Sequence, residues 1–109
     1  MKSIGVILLL LLITIRVNAD VGTPYGVKMI SLNNGETRHL KYNIHTGDAW
    51  WSKNTNWTKI VDDRKVSLST YEFVIVSTGL NWRAIRIDKV TGETWKKDRN
   101  HRWVKIVDK

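Results

Sequence analysis

The side chains that could do acid–base, nucleophilic or metal chemistry are few and scattered along this sequence of 109 residues. Its three histidines, His39, His45 and His101, lack metal-ligand spacing, and no cysteine is present to complete a zinc site. No serine lies in a Gly-x-Ser-x-Gly setting, and the acidic residues fall mostly at expected turns and strand ends instead of facing one cleft. We therefore predict a non-enzymatic protein without a metal or cofactor.

Tryptophan is the residue type best suited to binding here, and the chain contains six. Four of them recur in pairs at equivalent positions of a repeated pattern, which favours a packing role: Trp50 with Trp95, and Trp57 with Trp103. Trp51 and Trp82 have no such counterpart, so we predict that they are exposed contacts, with Arg83 and Arg86 as polar neighbours. The alternative, that Trp51 and Trp82 each fill a local gap, stays open.

A nine-residue stretch that occurs twice must position these side chains. Residues 42–50 and 87–95 share an Asx residue, two spacers, Thr-Gly, two further residues and a Trp. Asn43 and Asp88 can accept hydrogen bonds from amides just downstream, while Gly47 and Gly92 can adopt the positive φ that closes a turn. Each copy is predicted to be a β-hairpin.

The match extends outward to residues 25–62 and 71–108, which predicts two tandem repeats joined by a short polar connector. Each repeat is predicted to be a four-stranded antiparallel meander, with strands at 27–32, 37–43, 49–52 and 57–61, and at 72–77, 82–88, 94–97 and 103–107. No helical periodicity of useful length is present. The fold class is therefore all-β, with the repeats arranged as propeller blades or packed as a small sandwich or barrel.

The motif in residues 88–95, Asp-x-x-Thr-Gly-x-x-Trp, resembles the hairpin motif of bacterial propeller-blade repeats, including those of quinoprotein-type propellers. The first copy differs, because Asn43 replaces the Asp. In repeat length, number of units and Trp placement, the chain also resembles small two-blade lectins, whose protomers associate into a closed propeller. This resemblance implies an oligomer, and two four-stranded units alone would leave sheet faces and edges uncovered. We expect a homo-oligomer.

The N-terminus has the pattern of a secretory signal peptide: a positive start, an apolar run over residues 4–15 and small residues up to Ala19. The run is too short for a membrane-spanning helix, and Arg16 interrupts its end, so cleavage after Ala19 is predicted and a membrane-spanning mature protein is not. Residues 1–19 are then the signal peptide and residues 20–109 one domain. We expect a secreted or periplasmic location.

Charge suggests the class of partner. The chain carries a net +8, of which Lys2 and Arg16 lie in the predicted signal peptide, and the remaining basic residues form no long run. A glycan or another anionic surface fits this charge, whereas nucleic acid is not expected for an exported protein. Two functions follow: an exported binding module for carbohydrate, acting through exposed Trp and basic or polar side chains, or a structural, envelope-associated protein acting through self-association or protein contacts.

Overall fold

A computed structural model of the chain describes residues 23–109; the predicted signal peptide and its cleavage site lie outside the described residues. Residues 23–109 form nine strands: β1 (Tyr25–Ser31), β2 (Thr37–Asn43), β3 (Ala49–Ser52), β4 (Thr58–Lys59), β5 (Val61–Asp62), β6 (Tyr71–Ser77), β7 (Trp82–Asp88), β8 (Thr94–Lys97) and β9 (Arg102–Ile106). This part of the chain contains no helix, and thus none of a length and apolarity that could cross a membrane. The all-β prediction is confirmed.

The strands form two sheets. The first is four-stranded in the order β1-β2-β3-β4, and all its strand pairs are antiparallel. The second is five-stranded in the order β5-β9-β8-β7-β6; its pairs are antiparallel except for β5, which runs parallel to β9. Within each sheet, strands that follow one another in the chain pair with each other, whereas β4 and β5 lie in different sheets and β5 and β6 lie at opposite edges of the second sheet.

The fourth predicted strand differs from the observed structure. We predicted one continuous strand over residues 57–61, but it is divided at Ile60, which is fully buried. Thr58 and Lys59 pair with β3 in the first sheet, whereas Val61 and Asp62 pair with β9 in the second. The chain thus crosses from one sheet to the other at Ile60, and this crossing ties the edges of the two sheets together.

Both hairpin turns have the predicted chemistry. The Asn43 side-chain oxygen accepts hydrogen bonds from the amides of His45 and Thr46 at 2.9 and 3.0 Å. The Asp88 carboxylate accepts from the amides two and three residues downstream at 2.9 and 3.3 Å. Gly47 and Gly92 have φ values of +79° and +80°. The side chain of the Asx residue therefore closes each turn, and the glycine supplies the left-handed backbone.

The core lies between the two sheets. Side chains alternate along each strand, so that one face of each sheet is covered by the other sheet and one is open. Leu40 and Ala49 of the first sheet and Phe73, Ala84 and Trp103 of the second are all at most 3% exposed. Tyr42 of β2 stacks on Phe73 of β6 with ring centroids 4.7 Å apart. The aromatic residues of β6–β9 therefore form most of the second sheet's contribution to the core.

The two edge strands β1 and β6 lie side by side. The Tyr71 amide donates to the Ile44 carbonyl at 2.7 Å, and the Asn33 amide donates to the Gly79 carbonyl at 2.9 Å. Between these points the Lys28 ammonium donates to the Phe73 carbonyl. An inward-pointing lysine on an edge strand discourages pairing with another chain, so this edge is protected.

Candidate functional site

Arg86, which we predicted as a surface contact, is fully buried. Its guanidinium makes a two-pronged ion pair with the Asp62 carboxylate at 2.7 and 3.1 Å and donates to the Gly47 carbonyl at 2.9 Å. It also lies over the rings of Trp95 and Trp103, 4.4 and 4.8 Å from their centroids. The prediction of exposure is wrong because a guanidinium can be buried when a carboxylate, a carbonyl and aromatic faces surround it.

Trp82, also predicted as an exposed contact, is only 8% exposed. Its ring centroid lies 6.0 Å from that of Trp51, which belongs to the other sheet and is half-buried. His101 stacks on Trp51 at 4.1 Å with nearly parallel rings, and the Lys97 ammonium lies 4.2 Å from the Trp82 ring centroid. The two predicted tryptophans are thus brought together where the sheets meet, but only Trp51 retains an accessible surface of any size.

The surroundings of this cluster lower the pKa values of its two basic side chains, His101 and Lys97. Burial, followed by the nearby Lys97 charge, lowers the pKa of His101. Burial likewise lowers the pKa of Lys97, which Asp98 partly opposes. Both groups are therefore easier to deprotonate than in water, and the environment of His101 favours its neutral imidazole over the charged form.

A groove opens beside Trp51, at the end of the first sheet where β3 leads into β4. One hollow, of about 160 Å³, is lined by Trp51 and by polar groups of the following loop: Ser52, Lys53, Asn54, Asn56 and Thr58. A second hollow, of about 230 Å³, adjoins it and shares Lys53 and Asn54. We call these two hollows the Trp51 groove. Its loop is rich in asparagine and threonine, which favour irregular backbone over continued pairing.

The far side of the Trp51 groove is charged. The Arg38 guanidinium donates to the Glu36 carboxylate at 3.1 Å, and this bond, together with the Lys53 charge, lowers the pKa of Glu36. Thr37 lies between them on β2. The groove therefore combines one indole ring with amide, hydroxyl, carboxylate and ammonium groups, which is the mixture of one apolar surface and several directed polar groups that small-molecule sites use.

The other predicted residues lie elsewhere. Arg83 is exposed on the open face of the second sheet, on the opposite side from Trp82 along the same strand. The four predicted site residues therefore do not form one site. Trp50 and Trp57, predicted to pack in the core, lie on the open face of the first sheet, where Trp50 is half-buried and Trp57 is 41% exposed. Their packing in the core is contradicted for this single chain.

Sequence reasoning also missed Lys41. Its ammonium lies between the rings of Trp50 and Trp57, 4.7 and 5.1 Å from their centroids, on the open face of the first sheet. Within residues 23–109 no carboxylate lies within ion-pairing distance of it. The signal that could have found it is the repeat itself, because Lys41 occupies the position of Arg86 in the other copy of the pattern.

Among the described residues, no three or more His, Asp or Glu side chains gather as they would around a metal ion. Asp88 is held within its own hairpin turn: its carboxylate accepts the Ser69 hydroxyl at 2.6 Å, and this bond, more than the turn amides, lowers its pKa. The Trp51 groove and the open sheet faces are thus the surfaces on which a function can be argued. Comparison with protein-family models, curated proteins and solved structures finds no match to this chain.

Proposed function

We propose that this chain is an exported, non-enzymatic binding module that takes a carbohydrate in the Trp51 groove. The observation that carries the proposal is the partly exposed indole of Trp51 beside a loop of amide and hydroxyl groups. A pyranose ring has one face of C–H groups that packs on an indole, and hydroxyls that exchange hydrogen bonds with side chains such as Asn54 and Asn56.

Charge favours an acidic sugar over a neutral one. Lys53 borders both hollows and is exposed, and Arg38 lies on the same side of the groove. Without Lys2 and Arg16 of the predicted signal peptide, the net charge of +8 becomes +6, so the long-range field of the exported module also attracts anions. We therefore expect binding of uronic-acid or sulfated glycans to weaken as salt is raised, because exposed charges are screened beyond roughly 10 Å at 0.1 M ionic strength.

A glycan array of neutral and acidic sugars, probed with the purified protein, tests this function. We expect reproducible binding that Asn54→Ala and Asn56→Ala each reduce, since both side chains lie in an exposed loop where truncation leaves the fold intact. Trp51→Phe should weaken binding further, because a smaller ring offers less stacking area. Leu68→Ala, which removes an exposed apolar side chain from the connector between the repeats, is the control.

Two results would contradict the proposal. One is an array without reproducible signal. The other is binding that all three groove variants retain at the level of Leu68→Ala, because the ligand would then contact another surface.

The two sheets are, in addition, proposed to be two copies of one structural unit. Strands β1, β2 and β3 have the same lengths as β6, β7 and β8, with seven, seven and four residues. Tyr25 pairs with Asn43 as Tyr71 pairs with Asp88, and Lys41 pairs with Trp50 as Arg86 pairs with Trp95. These equal registers support a duplication, in which the residues of β1, β2 and β3 correspond to those of β6, β7 and β8.

A further inference from the structure

Each open sheet face of this protein carries a group of exposed apolar side chains. The open face of the first sheet, here called the aromatic face, carries Tyr25, Val27, Met29, Lys41, Trp50 and Trp57; Val27 and Met29 are 60% and 66% exposed. The open face of the second sheet, here called the aliphatic face, carries Val74, Val76, Ile85, Val104 and Ile106, which are 39–48% exposed. Contiguous exposed apolar surface marks interaction sites in soluble proteins.

Each open face corresponds, in the other half, to a face that is buried. The aromatic face matches the buried face of the second sheet, residue for residue: Tyr25 with Tyr71, Val27 with Phe73, Met29 with Ile75, Trp50 with Trp95, and Trp57 with Trp103. The aliphatic face matches the face of the first sheet that packs on the second: Ile85 corresponds to Leu40 and Ile106 to Ile60, both fully buried, while Val104 corresponds to Thr58, which is exposed. Within the protomer, two unlike faces of the repeated unit pack against each other. The aromatic face of the first sheet and the aliphatic face of the second sheet remain uncovered.

Lys41 and Arg86 show the correspondence in most detail. Arg86 lies over Trp95 and Trp103 in the buried contact, and Lys41 lies over Trp50 and Trp57 on the aromatic face, at similar distances. Arg86 has the Asp62 carboxylate as its partner, while none of the described carboxylates pairs with Lys41. The aromatic face thus holds a cation arranged as in the buried contact but lacking its anion.

The missing anion is present at the other end of the chain. Asp62 reaches Arg86 because residues 61–62 leave the first sheet and pair parallel with β9, where Asp62 lies opposite Trp103. Its counterpart is Asp108, since Ile60-Val61-Asp62 repeats as Ile106-Val107-Asp108. Val107 and Asp108 are exposed and follow directly after β9. If the contact that joins the two halves of the protomer is repeated between two copies of the chain, Asp108 of one copy lies opposite Trp57 and beside Lys41 of the other copy.

We propose that copies of this chain associate head to tail, with the aliphatic face of one protomer packed on the aromatic face of the next. In this contact Val107 and Asp108 pair as a parallel strand beside Trp57 of the neighbouring protomer, and Asp108 forms an ion pair with its Lys41. Trp50 and Trp57 then become buried, as Trp95 and Trp103 already are. A contact between unlike faces repeats around an axis, so the assembly closes into a ring when the rotation returns to the start.

This association does not depend on carbohydrate binding. The Trp51 groove lies at the loop end of the first sheet, and none of its lining residues is among those that define the aromatic face or the aliphatic face. A silent glycan array beside a defined oligomer would remove the proposed ligand and keep the association. A monomer that still binds a glycan would remove the proposed association and keep the proposed ligand.

Light scattering coupled to size exclusion tests the proposal on protein purified from expression of the full sequence. Two variants each block one face: Val27→Asp on the aromatic face and Ile85→Asp on the aliphatic face, whose counterparts Phe73 and Leu40 are core residues. We expect an oligomer for the original chain and monomers for each variant. An equimolar mixture of the two should form a dimer, because each variant retains the face that the other has lost. Val90→Asp, in an exposed turn outside both faces, should remain oligomeric.

The ion pair is tested separately. Asp108→Lys changes an exposed residue at the chain end, and we expect it to weaken association at least tenfold with an unchanged unfolding midpoint of the protomer. Combining it with Lys41→Glu should restore part of the affinity. A monomeric mass for the original chain up to high micromolar concentration would overturn the proposal. So would a mixture of Val27→Asp and Ile85→Asp that stays monomeric, or an oligomer that only one of the two variants disrupts, since the latter requires like faces to meet.

Discussion

Arg86 shows that local sequence does not determine whether a charged side chain has a partner in the core. Alternation along β7 places it on the same side as Trp82 and Ala84, yet a charge in a core requires a partner with the right geometry. That partner, Asp62, belongs to a strand 24 residues earlier that changes sheets to reach it. The sequence contains the alternation but no local sign of the partner, which is why Arg86 was predicted to be on the surface.

We expect Asp62→Ala to lower the free energy of unfolding by about 3–5 kcal/mol, because it leaves the fully buried Arg86 guanidinium without its anion. Asp63→Ala is the matched control: Asp63 is the adjacent acid, and its ion pair with Arg102 is exposed, so little change is expected. Urea titration followed by Trp fluorescence measures both. Equal losses in the two variants would show that the buried pair adds nothing beyond a surface pair.

Hairpins and strands were the most predictable elements, because their signals are local. The Asx side chains and glycines of the two turns, and the alternation of β-branched and aromatic residues, depend on neighbours a few positions away. The break at Ile60 was not predictable in this way. It depends on β9, a strand about 40 residues later that offers a free edge to Val61 and Asp62. The predicted strand existed, but its division between two sheets is a property of the tertiary structure.

Alanine substitutions at the glycines of the two hairpins distinguish backbone strain within the turn from steric contact with other elements. Both adopt a positive φ, so alanine at either costs about 1–2 kcal/mol in backbone strain. A Cβ at Gly47 would also approach Val66 Cγ2 at 2.9 Å and the Tyr71 ring at 3.1 Å, whereas one at Gly92 would meet nothing within 4 Å.

We therefore expect Gly47→Ala to be the more destabilising by a further 1–3 kcal/mol or so. Thermal or urea unfolding in the Val27→Asp background measures the difference without a contribution from association. A Gly92→Ala variant as unstable as Gly47→Ala would contradict the packing described around the first turn.

At the scale of the whole molecule, sequence reasoning failed on which face of each sheet is buried. A repeated Trp predicts a packing role, and this holds for Trp95 and Trp103 but not for Trp50 and Trp57 in the single chain. The pattern of a strand gives two faces without saying which one meets the other sheet. When two equivalent units pack with unlike faces together, the same sequence pattern is buried in one half and open in the other. The sequence pattern alone therefore cannot indicate which face of each sheet is buried.

We expect the contact between the sheets to make stability depend on pH. His101 stacks on Trp51 of the first sheet and lies beside Trp82 of the second, and its pKa is lowered by burial and by Lys97, with Asp98 opposing. Because its pKa is lower in the folded state than in the unfolded chain, the unfolded state binds more protons as pH falls. The stabilisation from His101 is therefore fully present above about pH 6.5, its ordinary pKa, and is lost as the pH falls toward its folded value.

We expect the urea midpoint to fall between pH 7.5 and pH 5.5, a window above the titration of Glu36, Asp88 and Glu93, whose pKa values are lowered. His101→Asn should flatten this dependence, since asparagine tolerates the observed φ of +58° and has no ionisable ring. His45→Asn, which removes a histidine from a hairpin turn instead of the contact between the sheets, should keep the slope of the original chain. If His101→Asn retains that slope and His45→Asn loses it, the pH sensitivity belongs to the turn, and the neutral His101 stacked on Trp51 does not hold the two sheets together.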